Sequence, residues 1–433
     1  MNSGKTGASI SDEWTPPRAS GALDSTVSLP NSKSITNRAL VLAALSMGST
    51  TVLHPLLSRD TELMIDALRV LGAQVEVETD RVTVGQIGTV VGGDRIMVGN
   101  AGTVLRFLLG VAALSARSIR FDGDERIRKR PIAPLVEALR HLGADITASP
   151  RGGLPVVVNG SSGLNGGSVE LDASSSSQFV SALLLVGALC ETGLDIGMIG
   201  GRPPSSHHIQ MTIDMLAQCG VQVTEGPSSW SVAAGVVRAP DFDIEPDLSS
   251  AAPFVAAALV TGGRLLFPAW PKQTNQPGDQ LKTLAMEMGA KCFRDSSGLA
   301  ISGPERIGPL DVDLGEVGEL APVLAATLCF ATGPSRLRGI GHLRGHESNR
   351  LAALAKELSG LGPTVFETAD GLIIIPAPIR AGTFETHDDH RLVMAGAVAA
   401  LGASGVSVTN PATVGKTFPN FVIEWSAMFT EGR

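Results

Sequence analysis

Only four of the 433 residues are cysteine (Cys190, Cys219, Cys292 and Cys329), and they lie far apart with no CxxC pair among them. That leaves no basis for a paired-cysteine motif, and the four read as reduced, buried thiols of a cytoplasmic protein. Cationic residues are outnumbered, 34 Lys and Arg against 42 Asp and Glu, for a net charge of −8. General nucleic-acid binding is therefore not expected, and any local cluster of cations points to a specific site. No apolar run is long enough to span a membrane. The N-terminal stretch MNSGKTGASISDEWTPPRAS has no apolar core and carries acids, so it reads as a disordered tail rather than a secretory signal. Its Gly-Lys-Thr lacks the preceding strand and first glycine of a phosphate-binding loop. What remains is 43% hydrophobic, the composition of a globular chain with ample core and two or three domains.

The chain repeats itself six times. Apolar helix bodies run over Arg38–Leu45, Leu105–Leu114, Phe179–Leu189, Pro253–Val260, Pro322–Phe330 and Arg391–Leu401. Their anchors Leu45, Leu114, Leu189, Leu259, Leu328 and Leu401 fall at intervals of 69, 75, 70, 69 and 73. A polar cluster precedes each body: NSKS (Asn31–Ser34), GNAGT (Gly99–Thr103), SSSSQ (Ser174–Gln178), DLSS (Asp247–Ser250), GEVGE (Gly315–Glu319) and HDDH (His387–His390). Helix N-termini present free N–H groups and partial positive charge. Six of them beginning in polar residues, several with cations nearby, imply a cleft for a multiply anionic ligand.

A second periodic element follows in five of the six units. Amphipathic segments at Ile65–Val75, Leu135–Ile146, Ile213–Val223, Leu281–Cys292 and Leu351–Gly362 each close on a glycine suited to a left-handed C-cap, Gly72, Gly143, Gly220, Gly289 and Gly362. A period near 70 exceeds the common solenoids and fits a unit of two helices and several strands, in the α/β or α+β class. The sixth unit lacks the second helix, so it is expected to be split between the chain ends and to borrow a strand from residues 20–29. The linker is expected at Val236–Asp247. The resulting organisation is a tail and first strand of a discontinuous domain in 1–30, a continuous three-repeat domain in 31–245, and the remainder of the discontinuous one in 246–433.

Several clusters suit anion chemistry. Lys33, Ser34 and Arg38 stand at the first helix start, although a plain Ser cap with solvated cations is the ordinary alternative. Gly102 admits an anion to the backbone and Thr103 can donate. Arg126, Arg128, Lys129 and Arg130 place four cations in five positions, a pattern usual for an exposed surface. Ser174–Gln178 is donor-rich. Glu316 and Glu319 are also normal helix-dipole partners. His387–His390 is a poor metal motif without further ligands. Each cluster alone is explicable structurally; their recurrence at nearly every corresponding repeat position is not explained by packing.

At LPNSKS…NRA, GNAGT, RKRP, SSSSQF, GHESNR, DDHR and GKTFP the chain resembles the 5-enolpyruvylshikimate-3-phosphate (EPSP) synthase family, in order, from about Ser28 to the C-terminus. The resemblance implies an α/β fold of two similar domains, each of three βαβαββ units, with the active site in the cleft between them. It implies transfer of the carboxyvinyl group of phosphoenolpyruvate to the 5-hydroxyl of shikimate 3-phosphate, with release of phosphate through a tetrahedral intermediate, in aromatic amino-acid (chorismate) biosynthesis. It implies no metal or organic cofactor, no nucleic-acid or membrane partner, and a monomer. By motif, Ser34, Arg38, Ser176, Ser177, Ser205 and His346 would hold shikimate 3-phosphate. Gln178 would touch both substrates. Lys33, Gly102, Arg130, Arg350, Arg391 and Lys416 would hold phosphoenolpyruvate. Glu319 matches the acid near the 5-hydroxyl, Glu347 the proton donor and acceptor at the methylene, and His390 the histidine of the DHR motif; Lys33 joins these three as catalytic. Gly102 also matches the small residue at which a larger side chain excludes the herbicide glyphosate.

The chain departs from the family pattern in places. Asn31 replaces a glycine. His342 and His346 stand for Asn and Lys, Ser348–Asn349 for Thr–Asp, His207 for a proline, and His208 for a frequent tyrosine. The departures at Asn31 and Ser348–Asn349 leave open a non-catalytic binder of phosphorylated metabolites, and the nearest rival family is the enolpyruvyl transferase acting on UDP-N-acetylglucosamine. The latter family carries a loop cysteine that Gly123–Ile132 lacks.

Overall fold

The structure is a computed structural model that describes residues 12–88, 94–150, 152–160, 163–200 and 203–429. The six apolar bodies form helices at Lys33–Leu45, Gly102–Ala113, Gln178–Gly187, Ala252–Thr261, Ala321–Leu328 and His390–Ala399. Helices that are apolar on every face have to be covered on every face. All 12 residues of Gly102–Ala113 are buried, as are all 10 of His390–Ala399. The first three of these inner helices lie in one hydrophobic core and the last three in another. Helices Arg59–Val70, Ala133–His141, His207–Gln218, Leu281–Glu287 and Arg350–Gly360 form the second set, amphipathic and half-exposed. Gly72, Gly143, Gly220, Gly289 and Gly362 follow them at φ of 101°, 101°, 78°, 103° and 124°, the left-handed region that an L side chain resists.

Among the described residues, five four-stranded sheets and one three-stranded sheet surround the helices. Each four-stranded sheet joins a parallel pair to an antiparallel hairpin. In unit three, Gly167–Leu171 runs parallel to Leu194–Met198, which pairs with Ser229–Val232, which pairs with Val223–Gly226. The parallel pair flanks the inner helix, and the outer helix leads into the hairpin. That is the βαβαββ order.

Two sheets take their first strand from a distant stretch of chain. Asp24–Thr26 pairs in parallel with Arg264–Phe267 of unit four, and Phe242–Asp243 pairs in parallel with Ser49–Leu53 of unit one. The strand expected from residues 20–29 therefore completes unit four, not unit six. The segment expected as a linker contributes a strand as well. The chain passes between the two cores twice, side by side: Ser32 N–H donates to Glu245 O at 2.9 Å and Asp247 N–H to Pro30 O at 2.8 Å.

Unit six is completed by Glu13–Trp14, antiparallel to Val406–Thr409. Asn410 N–H donates to Asp12 O at 2.7 Å, and the Trp14 ring meets Phe421 edge-on at 6.0 Å. The expected disordered tail is thus corrected from Asp12 onward, because an unpaired edge strand and an aromatic cluster take those residues up; residues 1–11 lie outside the described residues. In place of a long second helix, unit six has the short Phe421–Ala427.

Candidate active site

The first turns of all six inner helices, or the residues leading into them, line one cavity of about 490 Å³ between the two cores. Ser32–Ser34, Gly102–Thr103, Ser174–Gln178, Ser249, Glu319 and His390–Arg391 come from the six units in turn. The cations Lys33, Arg106, Arg130, Arg350, Arg391 and Lys416 share the wall with Asp60, Asp247, Glu319 and Glu347. Six helix N-termini and six cations against four carboxylates make a site for a ligand of several negative charges.

Of the residues singled out from sequence, Lys33, Ser34, Gly102, Arg130, Ser176, Ser177, Gln178, Ser205, Glu319, His346, Glu347, Arg350, His390, Arg391 and Lys416 all line this cavity. Arg38 is not on its wall. Its guanidinium is buried and donates to Thr212 Oγ1 (2.7 Å), Ser34 O (3.0 Å), His208 O (3.0 Å) and Ser181 Oγ (3.3 Å). Every nitrogen of the fork has a protein acceptor, so Arg38 props up the first and third helices from beneath.

Glu347 is the centre of the polar network. Its Oε2 lies 2.7 Å from His390 Nδ1 and its Oε1 accepts from Lys416 Nζ at 2.8 Å. Burial alone would raise its proton affinity, but His390, Lys416 and Arg350 outweigh it and hold the carboxyl well below the usual carboxylate range. His390 is pushed down to about 4 by burial, against the pull of Glu347. At neutral pH the pair is a carboxylate and a neutral imidazole donating through Nδ1. Lys416 also donates to Asn100 O at 3.1 Å, and Lys33 reaches Asp60 Oδ2 at 3.1 Å. Burial pushes the Lys33 ammonium down, with Asp60 opposing.

Glu319 behaves oppositely. Burial raises its carboxyl above the ordinary range, and among the described residues its one hydrogen bond from a neighbouring side chain comes from Ser249 Oγ at 3.4 Å. Two carboxylates in one cavity are thus driven apart in proton affinity, an arrangement that separates acid and base roles.

Arg350 and Asp389 form a two-pronged buried pair, Nε to Oδ2 at 2.8 Å and Nη2 to Oδ1 at 3.0 Å. Ser348 Oγ donates to the same Asp389 Oδ2 at 3.0 Å, and Asn349 Oδ1 caps the helix by accepting from Ala352 N–H at 3.3 Å. Ser348 and Asn349 therefore still supply a hydroxyl donor and a helix cap. The neighbouring imidazoles are neutral: burial lowers His342 to about 4, His208 to about 3, and His346 well below its ordinary value. His207 faces Gln280 across the cleft at 3.0 Å. Asn31 donates to His54 O at 2.6 Å beside the double crossing.

Glu347, Asp389 and His390 are the one group among the described residues with the close spacing of metal donors. Arg350 clamps Asp389 and Lys416 holds Glu347, so cations already occupy these acceptors. His387 and Asp388 turn away at φ of 50° and 56°, His387 toward Glu357 at 3.0 Å.

Sequence reasoning missed Asp60, Arg106 and Gln276; Asp247 and Ser249 belong to a cluster it placed at the cleft without giving either a role. Asp60 looked like any acid in a helix first turn. Arg106 had a signal, a lone charge inside the apolar Gly102–Ala113. Its Nη1 donates to Gln178 Oε1 at 2.7 Å, which turns the Gln178 NH₂ toward the cavity, and its guanidinium stacks on Phe179 at 5.1 Å.

The two halves touch around the cavity. Ser205 N–H donates to Gly315 O at 2.9 Å, and Ser206 donates to Glu316 Oε2 through N–H at 2.7 Å and Oγ at 2.6 Å. Glu316, a sequence candidate, is thus a closing contact.

Residues 17–425 match the family model of EPSP synthase (3-phosphoshikimate 1-carboxyvinyltransferase). The structure is similar to EPSP synthase from Acinetobacter baumannii at TM-score 0.80 and 25% identity, over 96% of this chain and 98% of the other. A second structure of EPSP synthase from that organism gives 0.76 and 25%, over 94% and 96%. The enolpyruvyl transferase NikO from Streptomyces tendae shares the fold, at 0.75 and 16% identity, over 95% and 96%.

Proposed function

The chain belongs to the EPSP synthase family, and from that premise we propose how its own residues carry the reaction. It is a 3-phosphoshikimate 1-carboxyvinyltransferase of the shikimate pathway: the carboxyvinyl group of phosphoenolpyruvate passes to the 5-hydroxyl of shikimate 3-phosphate and phosphate leaves. Ser34, Ser176, Ser177, Gln178, Ser205 and His346 hold shikimate 3-phosphate; Arg38 acts from behind this wall. Lys33, Gly102, Arg130, Gln178, Arg350, Arg391 and Lys416 hold phosphoenolpyruvate.

In the addition step the 5-hydroxyl oxygen bonds to C2 of phosphoenolpyruvate, its proton goes to Glu319, and C3 gains a proton. Glu347 begins as a carboxylate, so the proton for C3 has to reach it first. Of its two contacts, the Lys416 ammonium is the available donor, because a neutral His390 that gave up its Nδ1 proton would be left an imidazolate. Arrival of the substrate anion beside Lys416 and Arg350 draws these cations off Glu347 and raises its proton affinity. In the elimination step Glu347 takes the C3 proton back and returns it to Lys416 while the C2–O bond to phosphate breaks; the proton held by Glu319 leaves with the phosphate, whose oxygens face the cations. The observation that carries this reading is the placement of two carboxylates, Glu319 and Glu347, on the wall of one cavity that six cations share.

We further propose that residues 31–245 close as a body on the remainder about Pro30–Asn31 and Pro246, and that the protein works as a cytoplasmic monomer. No described helix is long and apolar enough to cross a membrane.

The test is phosphate release on mixing with both substrates, each omitted in turn. Release that needs both is expected. Tight binding of shikimate 3-phosphate without release would instead favour a non-catalytic binder.

Two further outcomes are expected. Glu319 must be ionised to accept the hydroxyl proton, so kcat/KM falls as pH drops through its raised pKa. The acid limb should lie above the ordinary value of 4.5, and a midpoint at or below it would exclude Glu319 as the base. At Gly102, an added Cβ would stand 2.8 Å from Arg130 Nη2 and 3.0 Å from its Cζ. Gly102→Ala should raise KM for phosphoenolpyruvate about tenfold, the effect of overpacking by about 1–3 kcal/mol. Glyphosate should inhibit the parent enzyme, and that inhibition should weaken in Gly102→Ala at least as much. An unchanged rate of the parent at millimolar glyphosate would rule out the sensitivity.

A further inference from the structure

Four cations crowd Arg126–Arg130, and three have evident employment. Arg128 pairs with Asp122 at 2.9 Å, Lys129 pairs with Glu125 at 2.5 Å, and Arg130 lines the cavity. Arg126 pairs with no carboxylate among the described residues. It reaches across the cleft instead, and both Nε (3.2 Å) and Nη2 (2.7 Å) donate to the backbone carbonyl of His346. Among the described residues that carbonyl accepts from nothing else. It belongs to the peptide that joins His346 to Glu347, where the chain leaves the Gly341–Gly345 3₁₀ turn in an extended conformation.

We propose that Arg126 is a positioning residue that couples closure of the cleft to the placement of Glu347. A guanidinium fork on one carbonyl oxygen fixes the peptide by two donors. Glu347 follows that peptide directly, and its two carboxylate oxygens must meet His390 and Lys416 at once. Lys416 is itself held by Asn100 O, on the same half as Arg126. When the halves part, Arg126 releases the His346 carbonyl and Lys416 loses its contact with Asn100, so the proton-transfer network is complete only when the cleft is shut. A single rigid grip next to the reacting carboxylate acts on turnover and leaves shikimate 3-phosphate binding to the open protein alone.

The inference rests on the role proposed for Glu347, and the experiment separates the two. Steady-state kinetics are measured for the parent, Arg126→Gln and Arg126→Lys, with shikimate 3-phosphate binding measured by calorimetry. For Arg126→Gln, kcat should fall about 100-fold, the scale of a misplacement of about 1 Å, with the dissociation constant of shikimate 3-phosphate within about threefold. Arg126→Lys keeps the charge but offers one mobile point donor, and should recover less than about a tenth of the loss. A parent that releases no phosphate would overturn the reading of Glu347 itself. An active parent with Arg126→Gln at parental kcat would overturn the latch alone. So would full rescue by lysine, or a loss confined to KM for phosphoenolpyruvate that added salt abolishes, since either would mean that charge and not grip is what matters.

Discussion

Glu347→Gln should lower kcat by about 10²–10⁴-fold, the range for removal of a positioned proton-transfer group. The substitution keeps the shape of the side chain and its acceptor toward Lys416, but it removes the charge and the basic site. In the parent, reversible addition should carry solvent deuterium into the C3 methylene of phosphoenolpyruvate whenever both substrates are present. In the variant that exchange should fall in parallel with kcat. Lys416 keeps Asn100 O at 3.1 Å and Asp60 at 3.7 Å, so the fold should tolerate the change and shikimate 3-phosphate should still bind. Near-parental exchange with slow turnover would remove Glu347 from the proton path and leave it a bystander of the cations around it.

Asp389→Ala should cost about 3–5 kcal/mol of stability, the scale for stranding one partner of a buried ion pair. The side chains of Asp389 and Arg350 are 0% and 3% exposed. Asp389 also accepts from Ser348 Oγ and from Arg391 N–H, the latter at 3.0 Å as the cap of the sixth inner helix. Removing it orphans a guanidinium, a hydroxyl and a helix end together. The comparison is the double variant Asp389→Leu, Arg350→Met, which removes both charges and should recover part of the loss in urea unfolding. A single variant within about 1 kcal/mol of the parent would contradict the account. Catalysis should be lost in both, because Arg350 faces the anion cavity.

The inner helices were legible because helices apolar all round permit one environment, and because polar clusters marked their N-termini at a constant period. The five closing glycines were legible for a stereochemical reason. The strand exchange was legible only in part: a strand was expected within residues 20–29, but not its partner in unit four, and Phe242–Asp243, two residues long, is too short to show alternation. Anion ligands and buried scaffold cations also look alike in sequence. Arg38 lies one turn inside a helix that starts at the cavity and is engaged beneath it. The run at Arg126–Arg130 divides between the short helix Glu125–Arg128 and the turn that follows it. Arg126 on the helix and Arg130 past its end turn toward the cleft, while 128 and 129 pair within their own half. Asp60 carried no mark, because its meaning comes from Lys33 and Lys416, which reach it from elsewhere in the chain.

The paired crossings also fix an order of events during synthesis. Residues 31–245 carry every strand of their own three sheets, including Phe242–Asp243, so that stretch has its full complement as soon as it has emerged. The strand Asp24–Thr26 does not: its partner begins at Arg264, 240 residues later. At roughly 5–20 residues per second, it waits on the order of ten to fifty seconds on the ribosome. During that interval Leu23 and Val27, both buried in the finished second core, are bare beside a growing neighbour. A stretch made before the whole of 31–245 is thus folded after it, and the nascent protein is open to misassembly there.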